Sequence, residues 1–111
     1  MSKYHSKKTT VYGITFDSKR EAGRFLELQQ LLMAGKIKDL KLQHPFVLQP
    51  LFKKKGKTIR AITYIADFVY YDLEQMKIVV EDVKGYKTKE YMLKKKMFEY
   101  KFPDLTITEI K

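Results

Sequence analysis

The chain has 111 residues, 44% of them hydrophobic, and this length fits one compact domain with a modest core and no second domain. Lys and Arg outnumber Asp and Glu by 23 to 13, and the formal charge of +10 attracts polyanions, which makes nucleic acid the leading partner. With no cysteine, disulfides, thiolate metal sites and a cysteine nucleophile are excluded. The basic start MSKYHSKKTT lacks the apolar run of a secretory signal, and no segment approaches the roughly 20 apolar residues of a membrane span, so a soluble cytoplasmic protein is expected.

Residues 1–10 are polar and Lys-rich and are expected to form a flexible basic arm; residues 11–111 then form a single domain. Val11 to Phe16 suggests a short opening strand or turn. Ser18 followed three residues later by Glu21 is a capping-box pattern. Ala22, Phe25, Leu26, Leu28, Leu32 and Met33 follow at helical spacing before Gly35, which predicts an amphipathic helix over about 18–34.

From His44 the apolar period changes to two, and the run KKKGK interrupts it as a turn, so a hairpin is expected there. The strand predicted over about 58–71 places Ile62, Tyr64, Ala66 and Phe68 on one face and Ile65, Asp67 and Val69 on the other. Apolar residues on both faces suit an inner strand. After a turn over 72–75, Lys77 to Lys84 forms another central strand. Glu90 to Phe102 forms a second helix ended by Pro103, and Leu105, Ile107 and Ile110 mark a last strand. The expected class is α/β or α+β, with order α-β-β-β-α-β and helices on a mixed sheet.

Charges at the end of the third predicted strand need an explanation. Side chains two apart share a face, so Asp82 and Lys84 point together, with Ile78 and Val80, while Glu81 and Val83 point away. Asp67 interrupts the neighbouring strand and is positioned to lie across from Asp82. Two converging carboxylates repel unless one is protonated or a cation sits between them, and a hard divalent ion such as Mg²⁺, with Mn²⁺ as substitute, suits oxygen ligands. A lysine beside that ion can orient a water and offset charge on a phosphate.

On Asp67, Asp82-Val83-Lys84 and this order of elements, the chain resembles the PD-(D/E)xK, restriction-endonuclease-like superfamily, over about residues 18–110. The runs YIADFVYYD and IVVEDVKGYKT look similar to small phage and prophage endonucleases, some of them Holliday-junction resolvase-like. Ala66 stands where the motif has Pro. The resemblance implies that Glu21 on the first helix completes the site and that the Val83 carbonyl joins Asp67 and Asp82 as a metal ligand. It also implies a homodimer, DNA as substrate, duplex or branched, 5′-phosphate products, and a phage or bacterial cytoplasmic setting.

Each of these residues has a plainer role open to it: Glu21 can close a helix cap, Asp67 can face solvent, and Asp82 with Lys84 can form a surface ion pair. His5 and His44 are too far apart in sequence to suggest a metal pair. Most aromatic residues fall at core periods, with Tyr86 the exception between Lys84 and Lys87. Tyr86, Lys87, Lys89, Lys94, Lys95 and Lys96 follow the site and are the expected DNA contacts. Lys53, Lys54 and Lys55, with Lys57, on the hairpin and Lys3, Lys7 and Lys8 on the arm are expected to grip flanking duplex. The alternatives are a non-catalytic basic DNA- or RNA-binding module, and a basic partner for an acidic protein.

Overall fold

A computed structural model describes residues 7–111. The expected basic arm falls largely outside the described residues, and its last part is not an arm: Thr9–Val11 form strand β1, which pairs antiparallel with β2, Ile14–Phe16. Helix α1 spans Lys19–Met33, close to expectation, and Ser18 is its N-cap, accepting the main-chain N–H of Glu21 at 3.0 Å. It ends in a paired capping motif, in which Gly35 N–H reaches Leu32 O and Lys36 N–H reaches Leu31 O. Gly35 holds φ of 74°, a conformation glycine adopts without steric cost.

Strand β3, Ile37–Gln49, begins seven residues earlier than the alternation starting at His44 suggests, and His44 lies mid-strand, edge-on to Phe46. A small exposed ribbon follows, β4 (Phe52–Lys54) and β5 (Lys57–Ile59). It turns at Lys55 and Gly56, both at positive φ, as a two-residue hairpin requires. Then come β6 (Ile62–Asp72), β7 (Lys77–Val83), helix α2 (Lys89–Lys101) and β8 (Ile107–Ile110).

The main sheet has order β3-β6-β7-β8, antiparallel at the first two junctions and parallel at the last. Parallel pairing of β7 and β8 needs a crossover, which α2 supplies. The α+β class and the order α-β-β-β-α-β in this sheet are therefore as expected, with β6 and β7 central.

Each helix covers one face. The α1 side buries Phe16, Phe25, Leu28, Phe68 and Tyr70, with Val79 and Val83 packed against them. The α2 side buries Leu48, Tyr64, Ala66, Val69, Val80 and Phe98. Phe98 and Leu28 are fully enclosed, each stabilising the fold by about 1.5–3 kcal/mol through burial.

One expectation about β6 is overturned here. Tyr64 and Ala66 face α2, but Phe68 and Tyr70 face α1, so the alternation inverts around Asp67. Strand β3 inverts in step: Leu40 and Leu42 pack on the α1 side, Phe46 and Leu48 on the α2 side. Between them Gln43 has φ of 49°, and continuing the flanking register, in which Leu42 pairs Phe68 and His44 pairs Ala66, sets it opposite Asp67. Strand β7 alternates regularly, with Val80 toward α2 and Val79 and Val83 toward α1.

Candidate active site

The β6–β7 ladder ends at Phe68 opposite Glu81. One step further in the same register would pair Asp67 with Asp82, and there a side chain takes over from the main chain. Asp67 Oδ2 accepts the N–H of Val83 at 2.8 Å. The inversion at Gln43 and Asp67 thus puts a carboxylate at the fork between the two central strands.

Asp82 projects to the α2 side of the fork. Its Oδ2 accepts the Tyr64 hydroxyl at 2.5 Å, and its Oδ1 lies 3.3 Å from Lys84 Nζ. The Lys84 ammonium is 4.3 Å from the centroid of the Tyr91 ring, so it is held by a carboxylate on one side and a π face on the other. Burial pushes the Asp82 carboxyl up to about 6; contact with Tyr64 and Lys84 opposes the rise, and Asp67 adds to it.

Glu21 closes the group from α1. Only half of the capping box forms: Ser18 caps the Glu21 N–H, while Glu21 Oε2 accepts from Gln43 Nε2 at 3.2 Å. The same Gln43 nitrogen donates to Asp67 Oδ1 at 3.1 Å, so one amide bridges the two carboxylates. Burial is the main cause that lifts the Glu21 carboxyl to about 7, helped by Asp67, Asp17 and Asp82. A first-turn position would by itself favour the charged form, and here burial and acidic neighbours outweigh it.

Glu81 belongs to a different structure. It lies on the α1 face, where Arg24 Nε and Nη2 grip its two oxygens at 2.8 and 2.6 Å and the Tyr70 hydroxyl donates to it as well. That bidentate pair occupies its acceptors, which leaves Asp82 as the acid that accompanies Lys84.

Asp67, Asp82, Val83, Lys84 and Glu21 thus come together as expected. Gln43, Tyr64, Tyr91 and Arg24 were not foreseen. Among the described residues no three His, Cys, Asp or Glu side chains are close enough to form a ready-made cation cage. The acids are instead spaced by Gln43, Tyr64, Lys84 and the Val83 N–H. The three carboxylates bridged or held apart by these groups offer hard oxygen donors of the kind a divalent cation takes, and Asp67, Asp82, Glu21 and the Val83 carbonyl are the groups that could hold one.

The lysines divide into two groups. Lys87 and Lys95 pair with Glu109, at 2.8 and 3.3 Å, and Lys94 lies 3.9 Å from Glu90. Lys53, Lys54, Lys55, Lys89 and Lys96 are exposed and, among the described residues, have no carboxylate partner; Tyr86 is exposed too. Two cavities flank Lys84. One of about 240 Å³ is lined by Tyr64, Asp82, Glu90 and Lys94. The larger, about 580 Å³, lies toward the start of α1.

A family described as protein of unknown function, DUF1064, matches residues 1–111. The chain belongs to the DUF1064 family. No curated protein and no solved structure matches it. Among the described residues no helix of this DUF1064 member is long and apolar enough to cross a membrane.

Proposed function

We propose that this DUF1064 protein is a Mg²⁺-dependent DNA endonuclease of the PD-(D/E)xK kind, active on duplex or branched DNA as a homodimer. The observation that carries the reading is the β6–β7 fork, where Asp67 is tied to the Val83 N–H and Asp82 to Lys84. The formal charge of +10 supports a polyanionic substrate.

Hydrolysis joins a water oxygen to phosphorus and breaks the bond to the 3′ oxygen; the attacking water gives up one proton to solvent, and the leaving 3′ oxygen takes one from solvent. Asp67, Asp82, Glu21 and the Val83 carbonyl would hold the cation. When bound, that ion polarises the phosphoryl group and lowers the proton affinity of water. Lys84, immobilised between Asp82 and Tyr91, hydrogen-bonds the attacking water and offsets charge on the phosphate as it develops. Tyr64 keeps Asp82 in one orientation through its hydroxyl. Gln43 bridges Glu21 and Asp67 through one amide nitrogen and so holds the two carboxylates beside each other.

The test is incubation with labelled four-way junction, duplex and single-stranded DNA, with and without Mg²⁺. Cleavage of at least one substrate only with the metal supports the reading. Salt-sensitive binding with no cleavage under any divalent ion makes the protein a binding module instead.

A further inference from the structure

The larger cavity beside Lys84 has a wall chemistry unlike the fork next to it. Lys7, Lys19, Arg20 and Lys84 line it together with Val83 and Gly85, and among the described residues no carboxylate does. Ser18 and Thr88, the N-caps of α1 and α2, also line it, so the positive ends of both helices border one space. Among the described residues neither Lys19 nor Arg20 has a carboxylate within ion-pair distance, and both are exposed. Gly85 lets the Arg20 guanidinium approach the main chain: a Cβ there would meet Nη1 at 3.2 Å.

Lys7, Lys19 and Arg20, without a carboxylate partner among the described residues, repel one another across this void until an anion enters, while Lys84, already paired with Asp82, joins the void to the residues that would act on a phosphodiester. The geometry points to this cavity as a phosphate subsite for nucleic acid. It grips a neighbouring phosphate of the strand being cut, with Lys19 and Arg20 as its principal contacts. The inference rests on the endonuclease reading for the strand's path over Lys84, and on the cavity alone for its affinity. Because the contacts are to the backbone, the subsite fixes the strand's position without reading its sequence.

The experiment measures binding of a short labelled single-stranded oligonucleotide to the full chain in chelator, across a salt series. The variants are Lys19→Ala/Arg20→Ala and, as a charge-matched control at the opposite end of the sheet, Lys36→Ala/Lys77→Ala. The subsite predicts affinity about tenfold weaker for the first pair and a salt slope flatter by about 1 to 2, with smaller changes in the control. Equal effects in the two double variants, or none in the first, overturn it. Cleavage by the unaltered protein in Mg²⁺ is followed separately. A protein that never cleaves but loses binding in the first pair keeps the subsite and loses the endonuclease reading. A protein that cleaves while that pair binds normally keeps the reading and loses the subsite.

Discussion

Asp67 Oδ2 accepts the main-chain N–H of Val83 at 2.8 Å, so a carboxylate side chain stands in for the next rung of the β6–β7 ladder. That contact gives Asp67 a structural duty separable from its charge. Asn keeps an oxygen that can accept the N–H, whereas Ala leaves the group without this partner. Urea denaturation should place Asp67→Asn within about 1 kcal/mol of the parent and Asp67→Ala about 1.5–3 kcal/mol below it. On the proposed metal role, Mg²⁺ should stabilise the parent and neither variant. Equal stability of the two variants would contradict the role of the fork.

The buried Glu21 carboxyl makes stability depend on pH. Its folded value of about 7 lies above its ordinary 4.5, so the folded state holds the proton more tightly and ionisation opposes folding. The penalty is absent below about 4.5, grows through the interval to 7, and is complete above it. Without divalent ions, Glu21→Gln should therefore be more stable than the parent above pH 7, by about 1–3 kcal/mol, with the gap closing toward pH 4.5. Adding Mg²⁺ at pH 8 should stabilise the parent and leave the variant nearly unchanged. Thermal melts across pH check both; a variant less stable at pH 8 in chelator would refute the account of Glu21.

Adjacent acids on β7 should behave in opposite ways. Glu81 is clamped by Arg24 and Tyr70 on the α1 face, with its side chain only 2% exposed, so Arg24→Ala strands a buried carboxylate. Breaking such a pair costs about 3–5 kcal/mol. Asp82→Asn should remain folded and lose cleavage, whereas Arg24→Ala, at a temperature where it is still folded, should retain it. Loss of cleavage in a folded Arg24→Ala protein with normal Mg²⁺ binding would reverse the assignment of the two acids.

Much of the frame was legible in the residues. Ser18 and Gly35 bracket α1 because caps carry side-chain and φ signatures, and β6 and β7 announce themselves as central by apolar residues on both faces. The pairing of Asp82 with Lys84, and the exclusion of Glu81, follows from alternation along β7, which is regular. Alternation failed along β6 because a second strand inverts with it. Gln43 adopts positive φ without being Gly or Asn, so nothing local signals the inversion that carries Asp67 to the fork. The start of β3 was hidden by the charged segment 38–43, whose side chains are mostly exposed. Tyr64 and Tyr91 sit at core positions, and a core tyrosine shows its hydroxyl partner, here Asp82 and Glu109, only in three dimensions.

Lys84 is proposed to act on the reacting groups and not merely on DNA affinity. The most direct measurement compares Lys84→Ala with the parent on one labelled DNA substrate, reading the single-turnover cleavage rate in Mg²⁺ and the dissociation constant in chelator. The account predicts a rate reduced by about 10²–10³ with affinity weakened only a few-fold, as for loss of one charge-stabilising donor. Lys84→Ala cutting at the parental rate, or a parent protein that cuts nothing in Mg²⁺ or Mn²⁺, would contradict it.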